Sequence, residues 1–559
     1  YNVCFGLPQI IPLIGEESPV AQNLIYVETP GDSANVLKIS TIIDKSRYDV
    51  GEIPLTQQIY DDETILANVS WIFGKNKKNI VYANAPAECE RIVAKLTALK
   101  ALEDATTNSI DEVSSDLVDF SEFLKKHIHK DYQLAHSILR GIAFHYGNMP
   151  TIIRENVEAL FDKGEISFLV CTSTLLQGVN LPAQNIFMLK PTRGEGEPLT
   201  SIDFWNLAGR AGRLGKDLVG NVFLINPSRW QSDPMMGLSA GKVIPTTAAI
   251  IAGQSDQLRE FISNRDHPSG AKETLTLEHV FMKFLNDERS GKLSETVSKL
   301  LSDYDANMMN RFEEQLRGVA QEITVPRSIT EANISVSAFR QQEMLDYILK
   351  RSREINPVEL IPPHPLGEWN RVYQGYVRLF GRIHKYFEKR KNTSRLNNYA
   401  AMMALRWIRG SSLAYLIEGT LGRRKETRKI GGDPSLASVI RDVMTYIEKD
   451  LRFRYVKYVT TYIDLLSHGF KENGVEELIA RIPRIPLFLE LGASSETMIN
   501  LMGLGVSRTT ASEFSVVAPH NGMSRDEIVA WLKSGAWRGS EISLICIREV
   551  EEKILHESE

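Results

Sequence analysis

Cysteine is scarce in this chain: four in 559 residues, Cys4, Cys89, Cys171 and Cys546, with no CxxC pair and no local Cys/His cluster. That spacing argues against a zinc finger or a disulfide framework and for no metal. It suits a reducing, cytoplasmic compartment. No apolar run reaches about 20 residues, the length that spans a bilayer, and no signal-peptide pattern is visible. No membrane partner is therefore expected. An excess of one charge is lacking too, since 65 Lys and Arg stand against 70 Asp and Glu. With a net charge of −5, any nucleic-acid surface must be a local patch. Repeats and low-complexity tracts are absent. What is present is an ordinary globular composition, 43% hydrophobic and 24% charged, over a length that suggests three or four domains. The first residue is a tyrosine in mid-pattern, as expected of a truncated or processed product.

The stretch from Glu165 to Arg213 organises the rest. Apolar runs at 167–171 and 186–189 carry polar residues at their ends, and a helical segment follows from Ser201. Further strand-like runs lie at 23–27, 37–43, 80–83, 142–145 and 221–225, with helical patterns between them at Pro86–Ala101 and Thr151–Lys163. Strands alternating with helices predict a parallel sheet covered on both faces. Thr200 and Asp203 have the capping-box spacing that starts a helix near Ser201. If that helix runs on, Arg210 and Arg213 share a face at i, i+3. Gly209, Ala211 and Gly212 beside them permit close backbone approach. Two cations on a small-residue helix suit a polyanion; the spacing alone equally fits a solvated basic face.

Four segments carry a resemblance. NLAGRAGR (206–213) resembles motif VI of superfamily 2 helicases. TSTLLQGVNLPA (172–183) resembles motif V in the form used by the superkiller, or Ski-like, branch. AFHYGNMP (143–150), with Arg154 after it, resembles the motif IVa region, and IVYANAPAECE (80–90) is similar to the motif IV strand and helix. The resemblance implies a RecA-like lobe that binds ATP with Mg²⁺ and moves along DNA or RNA, single-stranded within the motor. Carried over residue by residue, Arg210 and Arg213 become the catalytic arginine fingers. Gly178, Asn180, Asn206 and Gly209 join them on the nucleotide side. Thr172, Ser173, Thr174, His145, Gly147 and Arg154 lie along the nucleic-acid track. Asn206 stands where many relatives have glutamine. Taken without the family, the Thr and Ser residues also suit ordinary turns and caps.

The sequence contains no GxxxxGK[ST] loop, no DExH-like box and no Ser-Ala-Thr box, the parts that cradle phosphates and hold Mg²⁺ in the family's first lobe. The expected reading is therefore the C-terminal portion of an ATP-dependent helicase, inactive alone. The layout also resembles bacterial defence helicases, so a protein partner in a defence or repair complex is expected. The alternative is a non-catalytic nucleic-acid-binding or partner-docking subunit.

The fold class expected is α/β followed by all-α. Residues 1–59 read as an inter-lobe segment or remnant of a first lobe, and 60–230 as the second RecA-like lobe. Residues 231–365 read as a connector with helices and a winged-helix element, 366–475 as a helical bundle, and 476–559 as a helix-hairpin-helix-like region. The acidic, polar segment 104–131 reads as a surface helix or insertion, with His127 and His129 exposed. The loop 191–200 falls where relatives carry a strand-separating hairpin, but its short glycine-rich sequence favours a plain connector. In 369–387, aromatics interleaved with cations suit base stacking and phosphate contact, or else Tyr376, Leu379, Phe380 and Ile383 belong to a core, the reading favoured here, with Arg378 and Arg382 solvated. Residues 423–429 read as a basic loop and 439–466 as core helix. The hairpin 500–511 suits either a phosphate contact through backbone N–H groups or a structural turn.

Overall fold

The computed structural model describes residues 21–29, 34–43, 46–59, 61–107, 112–173, 181–194, 196–212, 219–234, 257–264, 272–300, 306–427 and 434–556. Part of motifs V and VI lies outside them. Among the described residues no helix is long and apolar enough to cross a membrane.

One sheet anchors the first half. Its strands are β1 (Ala21–Glu28), β2 (Ala34–Ile43), β3 (Ser46–Ile59), β4 (Asn79–Tyr82), β5 (Ile142–His145), β6 (Phe168–Cys171), β7 (Asn185–Leu189) and, after a small ribbon, β10 (Val219–Ile225). They lie in the order β3-β2-β1-β10-β7-β4-β6-β5, and the five from β10 to β5 run parallel. Their central residues are buried aliphatics and aromatics on both faces, as a covered parallel sheet requires. The boundary expected at residue 59 falls inside this sheet. β1 pairs in parallel with β10, from Ala21 opposite Val219 to Val27 opposite Ile225, and β2 and β3 extend the sheet antiparallel. β10 buries Val222 to Ile225 in an unbroken run and would be an open apolar edge without β1.

Helices cover both faces: α1 (Asp62–Gly74), α2 (Pro86–Thr107), α3 (Ser115–His127), α5 (Thr151–Lys163) and α6 (Ser201–Ala208), with a short α4 (Gln133–Ser137). α5 occupies the span expected and ends at Gly164, whose φ of +89° a side chain would strain. α3 is the surface helix expected within 104–131. Leu117, Phe120, Phe123 and Leu124 keep helical spacing and are buried, while Asp116, Asp119 and Glu122 form the other face. The loop 191–200 is not a plain connector. Thr192–Arg193 (β8) and Glu197–Pro198 (β9) pair antiparallel as a minimal hairpin, with Gly194 and Gly196 at positive φ.

From Lys272 onward every regular element among the described residues is helical, and no wing strand occurs in the described part of 231–365. The helices used below are α7 (Ala338–Glu354), α8 (Trp369–Tyr386), α9 (Ser394–Ile408), α10 (Leu413–Thr427), α11 (Leu436–Thr445) and α12 (Val456–Glu472). α11 and α12 are continuous through π-helical turns at Tyr446–Tyr455. As expected, Tyr376, Leu379, Phe380 and Ile383 are fully buried and Arg378 is exposed. Arg382 is not solvated: its guanidinium donates to Tyr462 Oη at 2.8 Å and to the Leu360 carbonyl at 3.3 Å. Residues 423–427 are helix, not loop; Arg424 pairs with Asp442 at 2.8 Å. The remaining residues of that stretch lie outside the described set.

Near the C-terminus, α13 (Glu496–Gly503) and α14 (Arg508–Val517) form the expected hairpin, with Gly505 at φ +99°. Its polar groups turn inward. Ser507 N–H and Oγ each donate to the Glu549 carboxylate at 2.8 Å, from α15 (Leu544–Val550). Arg508 lies 3.8 Å over the Trp407 ring and donates to the carbonyls of Gly492, Trp407 and Ser411. This C-terminal region packs back on the first half. Arg441 meets Glu90, Arg548 meets Asp116 and Asp119, and Lys126 and His127 meet Glu513.

Candidate nucleotide and nucleic-acid site

The chain leaves β4 toward β5 and leaves β6 toward β7 on the opposite side of β4. Such a switch point opens a crevice at the carboxyl ends of the strands, the usual ligand position in open α/β sheets. The motif residues collect at the ends of β4 and β6. Tyr82 ends β4, and Cys171, Thr172 and Ser173 end or follow β6. Arg210 is near enough to Cys171 to interact with it electrostatically. Burial lowers its pKa, and the nearby Cys171 sulfur works the other way. Burial in turn pushes the Cys171 thiol up to about 12. Arg210 is half-buried.

The segment bearing Arg210 is held by its backbone. Thr200 caps α6, its Oγ1 accepting the Asp203 N–H at 3.2 Å and donating to the Asp203 carboxylate at 3.0 Å. The helix stops at Ala208. Ala183 N–H donates to the Arg210 carbonyl at 3.0 Å, and Gly212 N–H to the Ala183 carbonyl at 2.8 Å. Motif VI therefore leaves its helix and bridges to the end of motif V. The helix expected to carry Arg210 and Arg213 ends at Ala208, before Arg210, and Arg213 lies outside the described residues. Packing on β10 explains the small residues. A Cβ on Gly220 would lie 2.1 Å from the Ala211 carbonyl carbon, so two backbones touch there.

α6 turns Phe204, Leu207 and Ala208 inward and leaves Ile202, Trp205, Asn206 and Gly209 exposed. Two exposed apolar side chains flanking an amide were not singled out in the sequence, although their 3.6-residue spacing was readable there. The structure also ties β8 to the crevice. Asn84 Oδ1 accepts the Thr192 N–H at 2.7 Å, and Tyr82 Oη donates to the Thr192 carbonyl at 2.7 Å. Arg193 lies 3.3 Å from Asp203.

The track residues divide. Thr172 is buried at the end of β6, its N–H donating to the His145 carbonyl at 3.4 Å, and Ser173 is half-buried beside it. His145 differs from the expectation: its imidazole is buried, with Nε2 2.8 Å from Glu158 on α5. It ends a strand whose two faces are covered, so its side chain packs instead of facing a groove. Gly147 is half-buried, and neighbouring Asn148 donates to Thr445 Oγ1 at 3.1 Å, joining the loop to the helical region. Arg154 is half-buried on α5, 3.4 Å from Thr151 Oγ1. Thr174, Gly178, Asn180 and Arg213 lie outside the described residues.

His127 and His129 are not surface residues. His127 is 3.0 Å from Glu513, and His129 is 2.9 Å from Glu418, both across the contact with the helical region. With Cys546 beside His127 and Glu513, three possible metal ligands come together. Glu513 is already met by Lys126, by the Ser543 N–H at 2.7 Å and by the Ser543 hydroxyl at 2.9 Å.

Comparison with known proteins follows this geometry. The model of the helicase conserved C-terminal domain matches residues 98–215. The exosome RNA helicase MTR4 of Homo sapiens is 27% identical over 173 residues, 30% of this chain and 17% of the relative. The probable helicase HelY of Mycobacterium leprae (strain TN) is 28% identical over 199 residues, 34% of this chain and 21% of the relative. The Hachiman protein HamB of Bacillus cereus is 30% identical over 157 residues, 28% of this chain and 13% of the relative. The chain thus matches a fifth or less of the length of MTR4 and HamB, and little more of HelY.

Proposed function

We propose, from the premise that this chain carries the C-terminal domain of a Ski-like superfamily 2 helicase, that it works as one wall of an ATP-driven nucleic-acid motor. The observation that carries the reading is the placement of Arg210. Arg210 sits half-buried, near enough to Cys171 to interact with it electrostatically, on a backbone held by Ala183 and packed on Gly220, next to an exposed face of Ile202, Trp205 and Asn206. A second RecA-like lobe against that face would bury the apolar pair and bring a nucleoside triphosphate to the arginine. ATP with Mg²⁺ supplies the phosphoryl group whose transfer to water drives the motor. Arg210 and Arg213 stabilise the charge developing on that group, a contribution on the order of 10³–10⁵ in rate. By the resemblance, Asn206, Gly209, Gly178 and Asn180 would contribute to nucleotide binding as well. Thr172, Ser173, Thr174, Gly147 and Arg154 offer hydroxyl, backbone and guanidinium groups to nucleic-acid phosphates, contacts that read no sequence. The His145 imidazole serves the packing of β5.

Turnover tests the reading. In a protein holding both lobes, Arg213→Ala abolishes nucleic-acid-stimulated ATP hydrolysis while largely sparing nucleotide binding; Arg210→Ala does the same. This chain alone, lacking a Walker loop, hydrolyses no ATP above background. Normal turnover by either variant, or robust ATPase activity of the isolated chain, refutes the assignment and leaves the docking-subunit alternative.

A further inference from the structure

α11 and α12 form one continuous helix whose two ends are held by different bodies. α11 is held by the RecA-like lobe. Arg441 meets the carboxylate of Glu90 on α2. Glu90 is buried and also accepts the Tyr146 hydroxyl at 3.1 Å. One turn on from Arg441, on the same face, Thr445 Oγ1 accepts the Asn148 amide at 3.1 Å. Tyr146 and Asn148 belong to one loop after β5, so α11 and that loop are tied at two points. α10, paired with α11 through Arg424 and Asp442, adds a third, Glu418 against His129 at 2.9 Å. α12 is held by the helical bundle instead. Gly469 lies so close to α7 that a Cβ there would be 2.7 Å from Ile348 Cγ2. Thr461 Oγ1 donates to Asn333 Oδ1 at 2.9 Å, and Tyr462 Oη to the Leu360 carbonyl at 2.7 Å.

Between the two anchors, Tyr446–Tyr455 makes π-helical turns. Such i→i+5 bonding is rare, is mostly limited to single turns and gathers at functional sites. Shifting one turn between i→i+5 and i→i+4 bonding rotates α11 against α12 and leaves both helical. The end of the segment nearest α12 already belongs to the bundle, since Arg454 pairs with Glu388 and Tyr455 Oη lies 2.8 Å from His384 Nε2 on α8. Its earlier turns face open space. Ile447 and Arg452 line a cavity of about 250 Å³, lined also by Asn148 and Ile152 of the lobe and Val506 of the α13–α14 hairpin. Space of that size lets side chains shift without the overpacking that locks a filled core.

We propose that Tyr446–Tyr455 is a joint. α11 and the loop from Tyr146 to Asn148 move with the RecA-like lobe, α12 stays with α7 and α8, and the angle between the two helices changes over the cavity. The joint needs no nucleotide and operates whether or not the motor reading holds. In a static junction the π turns would serve packing alone, and the polar ties of α11 would only add stability.

The test uses the full chain. Peptide-resolved hydrogen exchange is expected to be about tenfold faster at Tyr446–Phe453 than in Leu436–Thr445 and Val456–Glu472. Cys89, Cys171 and Cys546 are buried, so a Cys4→Ser background admits site-specific nitroxide labels. Labels at Lys130→Cys on the lobe and Lys471→Cys on α12, both exposed positions, are expected to give a broad distance distribution. It should be about twofold broader than that from Lys385→Cys and Lys471→Cys within the bundle. Leu413 and Thr509 also line the cavity. Leu413→Trp is expected to narrow the first distribution to the width of the second and to slow exchange at the joint. Thr509→Leu makes the same measurement if Leu413→Trp does not fold. Exchange at Tyr446–Phe453 no faster than in its flanks overturns the proposal, as does a lobe-to-α12 distribution no broader than the bundle's own. A broad distribution that survives filling the cavity also overturns it, because the motion then has another seat.

Discussion

Gly220 and Ala211 meet where motif VI crosses β10, and the contact leaves no room for a methyl group. Gly220→Ala should lower stability by about 1–3 kcal/mol through overpacking, read as a fall in Tm, with motif VI displaced from Ala183. Glu513 makes the opposite kind of contact. Burial opposes its charge, but the His127, Lys126 and Ser543 donors outweigh that and hold the carboxyl well below its ordinary value. A depressed folded-state pKa means stability that is present above the unfolded value, near 4.5, and lost as pH falls through the folded value. Glu513→Gln should therefore cost about 1.5–3 kcal/mol at pH 7. The gap between variant and wild type should close progressively below pH 4.5; a gap independent of pH would show that the charge contributes nothing.

At the scale of elements, spans set by local pattern were readable. α5 and its Gly164 stop follow from apolar spacing and one glycine. Thr200 and Asp203 marked the start of α6. Its end was not readable, because a bridge to Ala183, distant in sequence, terminates it before Arg210. α3 was legible as a surface helix, but which of its side chains are buried follows from the elements it packs against. The hairpin of α13 and α14 was legible as a hairpin, but the destination of its polar groups was not. Arg508 is half-buried, and burial lowers its pKa to about 9. Its three carbonyl partners make it a structural clamp, so Arg508→Ala should cost about 2–4 kcal/mol from unpaired acceptors and lost ring contact. Urea denaturation measures this; a loss under 0.5 kcal/mol would return Arg508 to the solvated class.

At the scale of the molecule, the first half and the helical region are held together by ion pairs between residues hundreds of positions apart, among them Glu90 with Arg441, Asp119 with Arg548 and Glu155 with Lys553. Short-range periodicity carries no information about such pairs. By itself the sequence determined the RecA-like strands, most helix spans and the order of four helicase-like motifs, because hydrophobic periodicity and glycine or cap residues act within a few positions. Only the tertiary structure decided that β1 to β3 belong to the same sheet, that motif VI leaves its helix at Arg210, and that His127, His129, His145 and Arg508 are packed inward. Each of those outcomes depends on which distant surface removes a side chain from water, and that is set by the completed fold.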